Sequence, residues 1–475
     1  MNSVLVASNR GPVSFTVSDD GVLTMKRGGG GLVSGLSGVA GDDGVLWVCA
    51  ALSDGDRGAV RQAPGGRLDH AGYATGAVRM LDIPPATFHR AYNAVANSTL
   101  WFVNHLLYDI PNAPLFGTRF RREWDSYRDY NGAFALALAE EAVHGARVMV
   151  QDYHLTLTPA MLRAERPDLR IAHFSHTPWA PPEYFSLLPD EVGREVLEGI
   201  LGADHAGFLT ERWARAFIDC CAALLKADIS GNQVTYDGHT TRIGVHSLGV
   251  DGDALTARAG EPDVESHMTA LRDQVGDRKL IVRIDRTELS KNIVRGLAAY
   301  REFLAAHPEW HGRVVHLAFA YPSRHDLPEY REYTAAVLRC AKEIEDEYAT
   351  EDWDPLILNV DDDYPRSLAA YRMADVLLVN PIRDGMNLVA KEGPILSPHC
   401  ALVLSREAGA AAELGADALV VNPYDVCETA DALHAALVMP DDERRSRAAR
   451  LAAAATALPP QQWLAAQLDA LRPTS

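Results

Sequence analysis

The chain has 475 residues, 47% of them hydrophobic and 23% charged, enough for two or three globular domains with ample core. Its formal net charge of −19 at pH 7 gives no electrostatic support for binding nucleic acid or an anionic membrane, so an anionic ligand must be met by a few local Arg and Lys. The six cysteines include no C-x-x-C pair, which points away from a disulfide framework or zinc site and fits a reducing cytoplasm; no basic leader and no apolar run near ~20 residues predicts export or a membrane span.

Val4-Leu-Val-Ala reads as the first strand and is followed by Ser8-Asn-Arg10. A hairpin-like segment, Phe15 to Met25, leads into Lys26-Arg-Gly-Gly-Gly-Gly31-Leu32, a glycine-rich loop whose backbone amides can approach a phosphate or sugar closely. The same loop is also compatible with a floppy connector. Leu46-Trp-Val-Cys is a further strand and Tyr92 to Trp101 a helix. Val148 to Asp152 and Ile171 to His176 are strands that each end in polar residues. Ligands gather at strand ends in parallel α/β sheets, so Asp152 and His176 form a candidate constellation; a helix cap and a loop histidine are the plain alternative. Trp213 to Leu225 is an amphipathic helix, and the polar stretch Asp251 to Arg278 reads as the crossover into a second domain.

Leu280 to Asp285 opens that domain as a new first strand, followed at once by Arg286-Thr-Glu-Leu-Ser-Lys291-Asn and a helix, Ile293 to Ala306. Two cations at the head of a helix oppose its dipole and each other unless an anion sits there. Val314 to Phe319 is a strand ending near Arg324, and a long acidic helix runs to about Tyr348. Pro355 to Asp363 then ends in Asp361-Asp362-Asp363. Val376 to Val379 is a strand buried on both faces, and Asn380 to Gly385 a turn. Met386 to Glu392 suits the first turns of a helix, whose opening amides at Gly385, Met386 and Asn387 would make an anion site. Asp384 and Glu392, eight positions apart, could then face one crevice and accept from sugar hydroxyls. Strands at Ala401 and Ala418, an Ala- and Arg-rich run from Glu443 to Ala457, and a short amphipathic helix from Trp463 to Leu471 complete the chain. The expected fold is α/β: two Rossmann-like, doubly wound domains facing across a cleft, spanning 1–248 and 249–455, with 456–475 crossing back to the first.

Nearly end to end, these residues resemble the trehalose-6-phosphate synthases, retaining glycosyltransferases of the two-Rossmann GT-B architecture. The resemblance rests on Ser8-Asn-Arg10, Trp124-Asp-x-Tyr127, Asp152-Tyr-His154, His176-x-Pro, Ser323-Arg324, Arg383-Asp-Gly-Met-Asn-Leu-Val-Ala-Lys-Glu392, Gly409-Ala-x-x-Glu413 and Asn422-Pro-Tyr-Asp425. It implies transfer of glucose from a nucleotide-glucose to glucose 6-phosphate, with trehalose 6-phosphate and a nucleoside diphosphate as products. Arg286 and Lys291 then hold the donor diphosphate, Asp384 the transferred glucose, and Glu392 the ribose diol. Leu388 and Val389 line the nucleotide, with Gly385, Met386 and Asn387 beside it and the loop of Gly31 and Leu32 over the donor. Arg10, Tyr92 and Arg324 contact the acceptor phosphate, and Trp101, Asp152 and His176 surround its sugar. The catalytic set is Arg286, Lys291, Asp384, His176 and Asp152. The leaving phosphate takes the acceptor's proton; no protein nucleophile, metal or cofactor is implied. The expected partners are these two substrates alone, with no nucleic acid and no membrane, and a homo-oligomer is left open.

Three departures bear on the donor. The family's usual Arg-x-Asp-Tyr-x-Lys-Gly is here Arg286-Thr-Glu-Leu-Ser-Lys-Asn292, and its His-Ile-Pro-Phe-Pro is His176-Thr-Pro-Trp-Ala180. The loop bordering the base carries Asp361, Asp362 and Asp363. A carboxylate accepts two parallel hydrogen bonds from guanine N1–H and N2–H but is repelled by the carbonyls flanking the single N–H of uracil, which favours GDP-glucose over UDP-glucose. A similar acidic loop and Lys-Asn occur in validoxylamine phosphate synthase. A pseudo-glycosyltransferase joining a GDP-cyclitol to an aminocyclitol phosphate is therefore the alternative activity, although its relatives alter the Ser-Asn-Arg and Arg-Asp-Gly-Met motifs kept here.

Overall fold

The computed structural model describes residues 2–18, 20, 22–27, 45–74, 76–324 and 326–472, and within them two compact units. The first comprises 1–248 together with 460–475, the second 249–459. Each is built on a mainly parallel sheet whose strands are runs of buried aliphatic residues, as a sheet covered on both faces requires.

In the first unit, β1 (Asn2–Ser8), β4 (Val45–Ala50), β5 (Ala77–Leu81), β6 (Ala142–Gln151), β7 (Arg170–Ser175) and β8 (His205–Phe208) run parallel in the order β5-β4-β1-β6-β7-β8. The first hairpin, β2 (Val13–Val17) and β3 (Leu23–Arg27), stands apart from this sheet. A second, β9 (Asp228–Ser230) and β10 (Gln233–Tyr236), continues from β11 (His239–Val245), which joins β8. The long helix α1 (Thr118–Glu141) packs against β1, β4 and β6. The helix expected from Tyr92 to Trp101 is π-wound over Arg90–Leu100, and α-helix follows only at Trp101–His105.

The second unit carries β12 (Lys279–Arg286), β13 (Val314–Tyr321), β14 (Leu356–Asn359), β15 (Val376–Val379), β16 (Ala401–Ser405) and β17 (Leu419–Val421), all parallel, in the order β14-β13-β12-β15-β16-β17. Counting the parallel strands from the first, the order is 3-2-1-4-5-6 in the second unit and the same in the first, where β11 adds a seventh parallel strand beside β8. This is the doubly wound arrangement, whose ligands sit where the order reverses. That switch point lies between β1 and β6 in one unit and between β12 and β15 in the other. The polar stretch Asp251 to Arg278, just past the division at 248/249, forms two helices of the second unit, Gly252–Ala259 and Pro262–Val275. The last helix, Pro460–Ala470, belongs to the first unit, where Trp463 packs edge-on against Phe174.

Candidate functional site

Arg10 and Asp152 follow the strands that flank the first switch point, and Arg286, Lys291 and Asp384 those that flank the second; His176, Arg324 and Asp361 to Asp363 follow other strands, and Tyr92 and Trp101 lie on helices. In the first unit Arg10 follows β1 and is exposed, while its neighbours are fixed: Trp47 Nε1 donates to Ser8 Oγ at 2.7 Å and the Tyr130 hydroxyl to Asn9 Oδ1 at 2.6 Å. Asp152 follows β6 with φ +74°, a conformation that strains a non-glycine residue. Its carboxylate accepts from the His176 amide at 3.2 Å, joining the ends of β6 and β7. The His176 ring bonds Gln151 Oε1 at 2.9 Å and lies against Phe174 and Trp463. Burial, with His173 nearby, pushes it down to about 3, so it is a neutral imidazole at pH 7. Tyr92 is stacked between Phe88 and His154, and Trp101 is stacked on His105 at 3.8 Å. Tyr127 of the Trp-Asp-x-Tyr motif is scaffold: its hydroxyl donates to Tyr153 O at 2.7 Å, just past Asp152.

In the second unit, Lys291 Nζ donates to Asp384 Oδ2 at 2.6 Å, linking the loops after β12 and β15. Burial would lower the ammonium, but Asp384 and Asp285 outweigh it and hold Lys291 above its ordinary value. Beneath it the fully buried Arg283 pairs with Asp285 at 2.9 Å and donates to Asn380 Oδ1 at 2.7 Å. Arg286 is 53% exposed and pairs with Glu288 at 3.0 Å. Glu288 has no exposed side-chain surface; it also meets Arg324 at 3.4 Å and accepts from the Ser323 hydroxyl at 2.9 Å. Burial alone would raise its carboxyl, yet Arg286 and Arg324 pull it down to about 2. The two cations at this helix head are therefore compensated by the protein's own carboxylates, contrary to the expectation that only a bound anion could do so. Arg286 keeps half its surface open to solvent.

The stretch after β15 differs from expectation. Asn387 has φ +80° and its Oδ1 accepts from the Ala390 amide at 3.1 Å, so the helix opens at Val389 (Val389–Leu396), three residues late. Gly385, Met386 and Asn387 are buried loop, and the amides entering the helix are those of Leu388 and Val389. Asp384 and Glu392 are thus not on one helix: Asp384 also accepts from Asn387 Nδ2 at 3.1 Å, and Glu392 from the Tyr371 hydroxyl at 3.1 Å. Burial lifts Glu392 to about 7, against the pull of Tyr371. Gly409 supports the loop from β16, its amide donating to Asp384 O at 3.1 Å.

Asp361 and Asp362 are exposed at the end of β14, but Asp363 caps the helix Tyr364–Met373, accepting from the Arg366 amide at 3.0 Å. It is the least available of the three to a base. Gly31 and Leu32 lie outside the described residues. Sequence reasoning missed Glu288 as a shared anchor. The signal was the family's acid two positions after Arg286, kept here as Glu. It also missed the role of Asn292, which sits at φ +61° where the family uses glycine. Its Nδ2 donates to Asn380 O at 2.9 Å and Pro423 O at 2.8 Å.

Comparison with known proteins shows the family. The model of glycosyltransferase family 20 matches residues 2–473. The chain belongs to glycosyltransferase family 20. This family 20 chain is 34% identical over 459 residues to "Alpha,alpha-trehalose-phosphate synthase [UDP-forming] 2" of Aspergillus fumigatus, covering 94% of the chain and 92% of that protein. It is 38% identical over 362 residues to the "Bifunctional trehalose-6-phosphate synthase/phosphatase" of Thermoproteus tenax, covering 75% of the chain but spanning only 48% of that protein's length. The solved alpha,alpha-trehalose-phosphate synthase (UDP-forming) of Burkholderia vietnamiensis superposes with TM-score 0.84 at 30% identity, covering 99% of this chain and 100% of that one. The two doubly wound sheets are those of the GT-B fold expected from the motifs.

Proposed function

We propose that this family 20 chain is a retaining glucosyltransferase that moves glucose from a nucleoside-diphosphate glucose to glucose 6-phosphate, forming trehalose 6-phosphate and the nucleoside diphosphate. The observation that carries the reading is the Lys291–Asp384 pair beside Arg286, at the switch point of the second sheet. Breaking the glycosidic bond leaves negative charge on the diphosphate, and preorganised cations are worth most where charge develops. When a diphosphate takes the Lys291 ammonium as its partner, Asp384 is released to accept from the glucose hydroxyls. Arg286, half open, supplies the second cation and Glu392 accepts from the ribose diol. Arg10 and Arg324 suit a phosphate monoester, which guanidinium binds through two parallel hydrogen bonds. His176, neutral at pH 7, serves as a hydrogen-bonding group to the sugar rather than a charged acid, and Asp152 positions it through its backbone amide. No side chain is assigned as nucleophile or base, because the leaving phosphate oxygen takes the acceptor's proton on the face it departs from.

The relatives' names, UDP-forming, support uracil as the base. A specific observation supports guanine as a second reading: Asp361 and Asp362 are exposed at the end of β14, where a carboxylate could accept from guanine N1–H and N2–H. The pseudo-glycosyltransferase alternative finds no support in those names. The test is trehalose 6-phosphate formation from glucose 6-phosphate with UDP-glucose and GDP-glucose in parallel. Product from neither donor sinks the activity, and kcat/KM for UDP-glucose at or above that for GDP-glucose sinks the guanine reading alone.

A further inference from the structure

Three metal-type donors meet at the far end of the helix that follows Lys291, and the transfer reaction uses none of them. His307 ends α2 (Ile293–Ala306), Glu309 lies on the single tight turn Pro308–Trp310, and His434 lies on α3 (Val426–Val438), which packs along α2. The two imidazoles are stacked, their centroids 3.7 Å apart and their planes 12° from parallel. Both turn a nitrogen to one carboxylate oxygen: His307 Nδ1 is 3.0 Å and His434 Nε2 4.0 Å from Glu309 Oε1. All three ligand atoms lie within 4.8 Å of one another. Bonds of about 2.0–2.2 Å to a tetrahedral zinc place its ligand atoms about 3.3–3.5 Å apart; because an imidazole binds in its ring plane, the partly buried His434 must swing out of its stack on His307, and the exposed Glu309 turn with it, to close the set. The Phe303 ring lies 5.5 and 6.4 Å from the two imidazoles and gives the cluster an apolar neighbour.

We propose that His307, Glu309 and His434 form a site for a divalent transition metal of the zinc class, completed by water, that clamps the end of α2 to α3. Two imidazoles and one carboxylate favour zinc, nickel or cobalt over magnesium or calcium, which take all-oxygen sets. The site is structural: at 1.5 Å per residue the 14 residues of α2 put it roughly 20 Å from Lys291. It does not depend on the proposed activity. The plain alternative is a His307–Glu309 hydrogen bond with His434 stacked on it.

The test is calorimetric titration of the untagged, chelator-stripped full chain with Zn2+ at neutral pH, beside His434→Gln and Glu309→Gln. The expected result is one saturable Zn2+ per chain, weakened about tenfold or more in each variant, with a Zn2+-dependent rise in Tm in the parent alone. Co2+ in place of Zn2+ should give visible d–d bands without thiolate charge transfer, which separates this site from the six cysteines. Variant isotherms that match the parent's, or a Co2+ spectrum dominated by thiolate bands, overturn the proposal. Far-ultraviolet dichroism in chelator reports the fold of each variant; should one misfold, His307→Gln takes its place under the same criterion.

Discussion

A carboxylate with no exposed surface is costly to ionise, and Glu288 stays ionised because two guanidinium groups and the Ser323 hydroxyl surround it. Under the proposed function Arg286 belongs to the donor diphosphate and Arg324 to the acceptor phosphate, so one side chain positions contacts to both substrates. Glu288→Gln keeps the size and removes the charge. It should lower kcat/KM for both substrates by about tenfold to a hundredfold while the far-ultraviolet dichroism is unchanged. A loss confined to one substrate would show that the anchor is not shared. Glu392 presents the opposite case, a partly buried carboxyl lifted to about 7 by burial. The native state then holds its proton more tightly than the unfolded chain does. Its stability contribution is full at acid pH, declines as pH rises from the ordinary carboxyl range through about 7, and is flat above. A dry site would make that decline roughly 3 kcal/mol; partial exposure reduces it to about 1–2 kcal/mol. Urea unfolding of ligand-free Glu392→Gln across this window should show a flatter profile than the parent, and an identical slope would rule Glu392 out as its cause.

At the scale of elements, the loop carrying Asp384 is shaped from outside itself. Gly409 lies so close that a Cβ there would sit 1.9 Å from Gly385 O, and the Ala410 amide donates to Met386 O at 2.7 Å. Gly409→Ala must therefore displace Gly385, and with it the adjoining Asp384. A misplacement of about 1 Å costs on the order of a hundredfold in rate, so the expected outcome is a folded protein with kcat down by about that factor; full activity in a crystal-verified variant would show that the loop's position does not govern transfer. The same contacts mark what could be read from sequence. Strands and their ends were legible because parallel strands are unbroken aliphatic runs closed by polar residues, as at Val376–Val379 and Asn380. The start of the helix after β15 was not, since nothing local announces that Asn387 adopts φ +80° and bonds forward to Ala390. Among the described residues seven non-glycine residues have positive φ, and Asp152, Asn292, Arg324 and Asn387 are four of them. Three of these, Asp152, Arg324 and Asn387, are candidate residues and Asn292 adjoins Lys291, so strained backbone recurs at the site, a property set by tertiary contacts and invisible to periodicity. Asn292 is the clearest instance: it stands where the family has glycine, and asparagine tolerates the left-handed conformation and adds two hydrogen bonds to neighbouring loops.

At the scale of the whole molecule, the division of labour between the units makes a prediction about fragments. The second unit is one continuous segment, 249–459, with its own six-stranded sheet, and its length lies within the roughly 50–250 residues of an autonomous domain. It contains Arg286, Lys291, Asp384 and Glu392, every described side chain assigned to the diphosphate, the glucose and the ribose. The first unit is discontinuous: its sheet depends on the helix Pro460–Ala470, whose Trp463 is buried against Phe174 and His176. Expressed alone, 249–459 should unfold cooperatively in urea and bind the nucleoside diphosphate of the preferred donor within about tenfold of the full chain's affinity. Residues 1–459, lacking that helix, should keep the nucleotide but lose stability in the first unit, since removing a buried Trp side chain alone costs about 3–5 kcal/mol. Calorimetry on the two fragments separates these outcomes. A folded 249–459 with no measurable nucleotide affinity would mean that the cations around Glu288 and Asp384 do not make the donor site, even if the full chain proves to be a synthase.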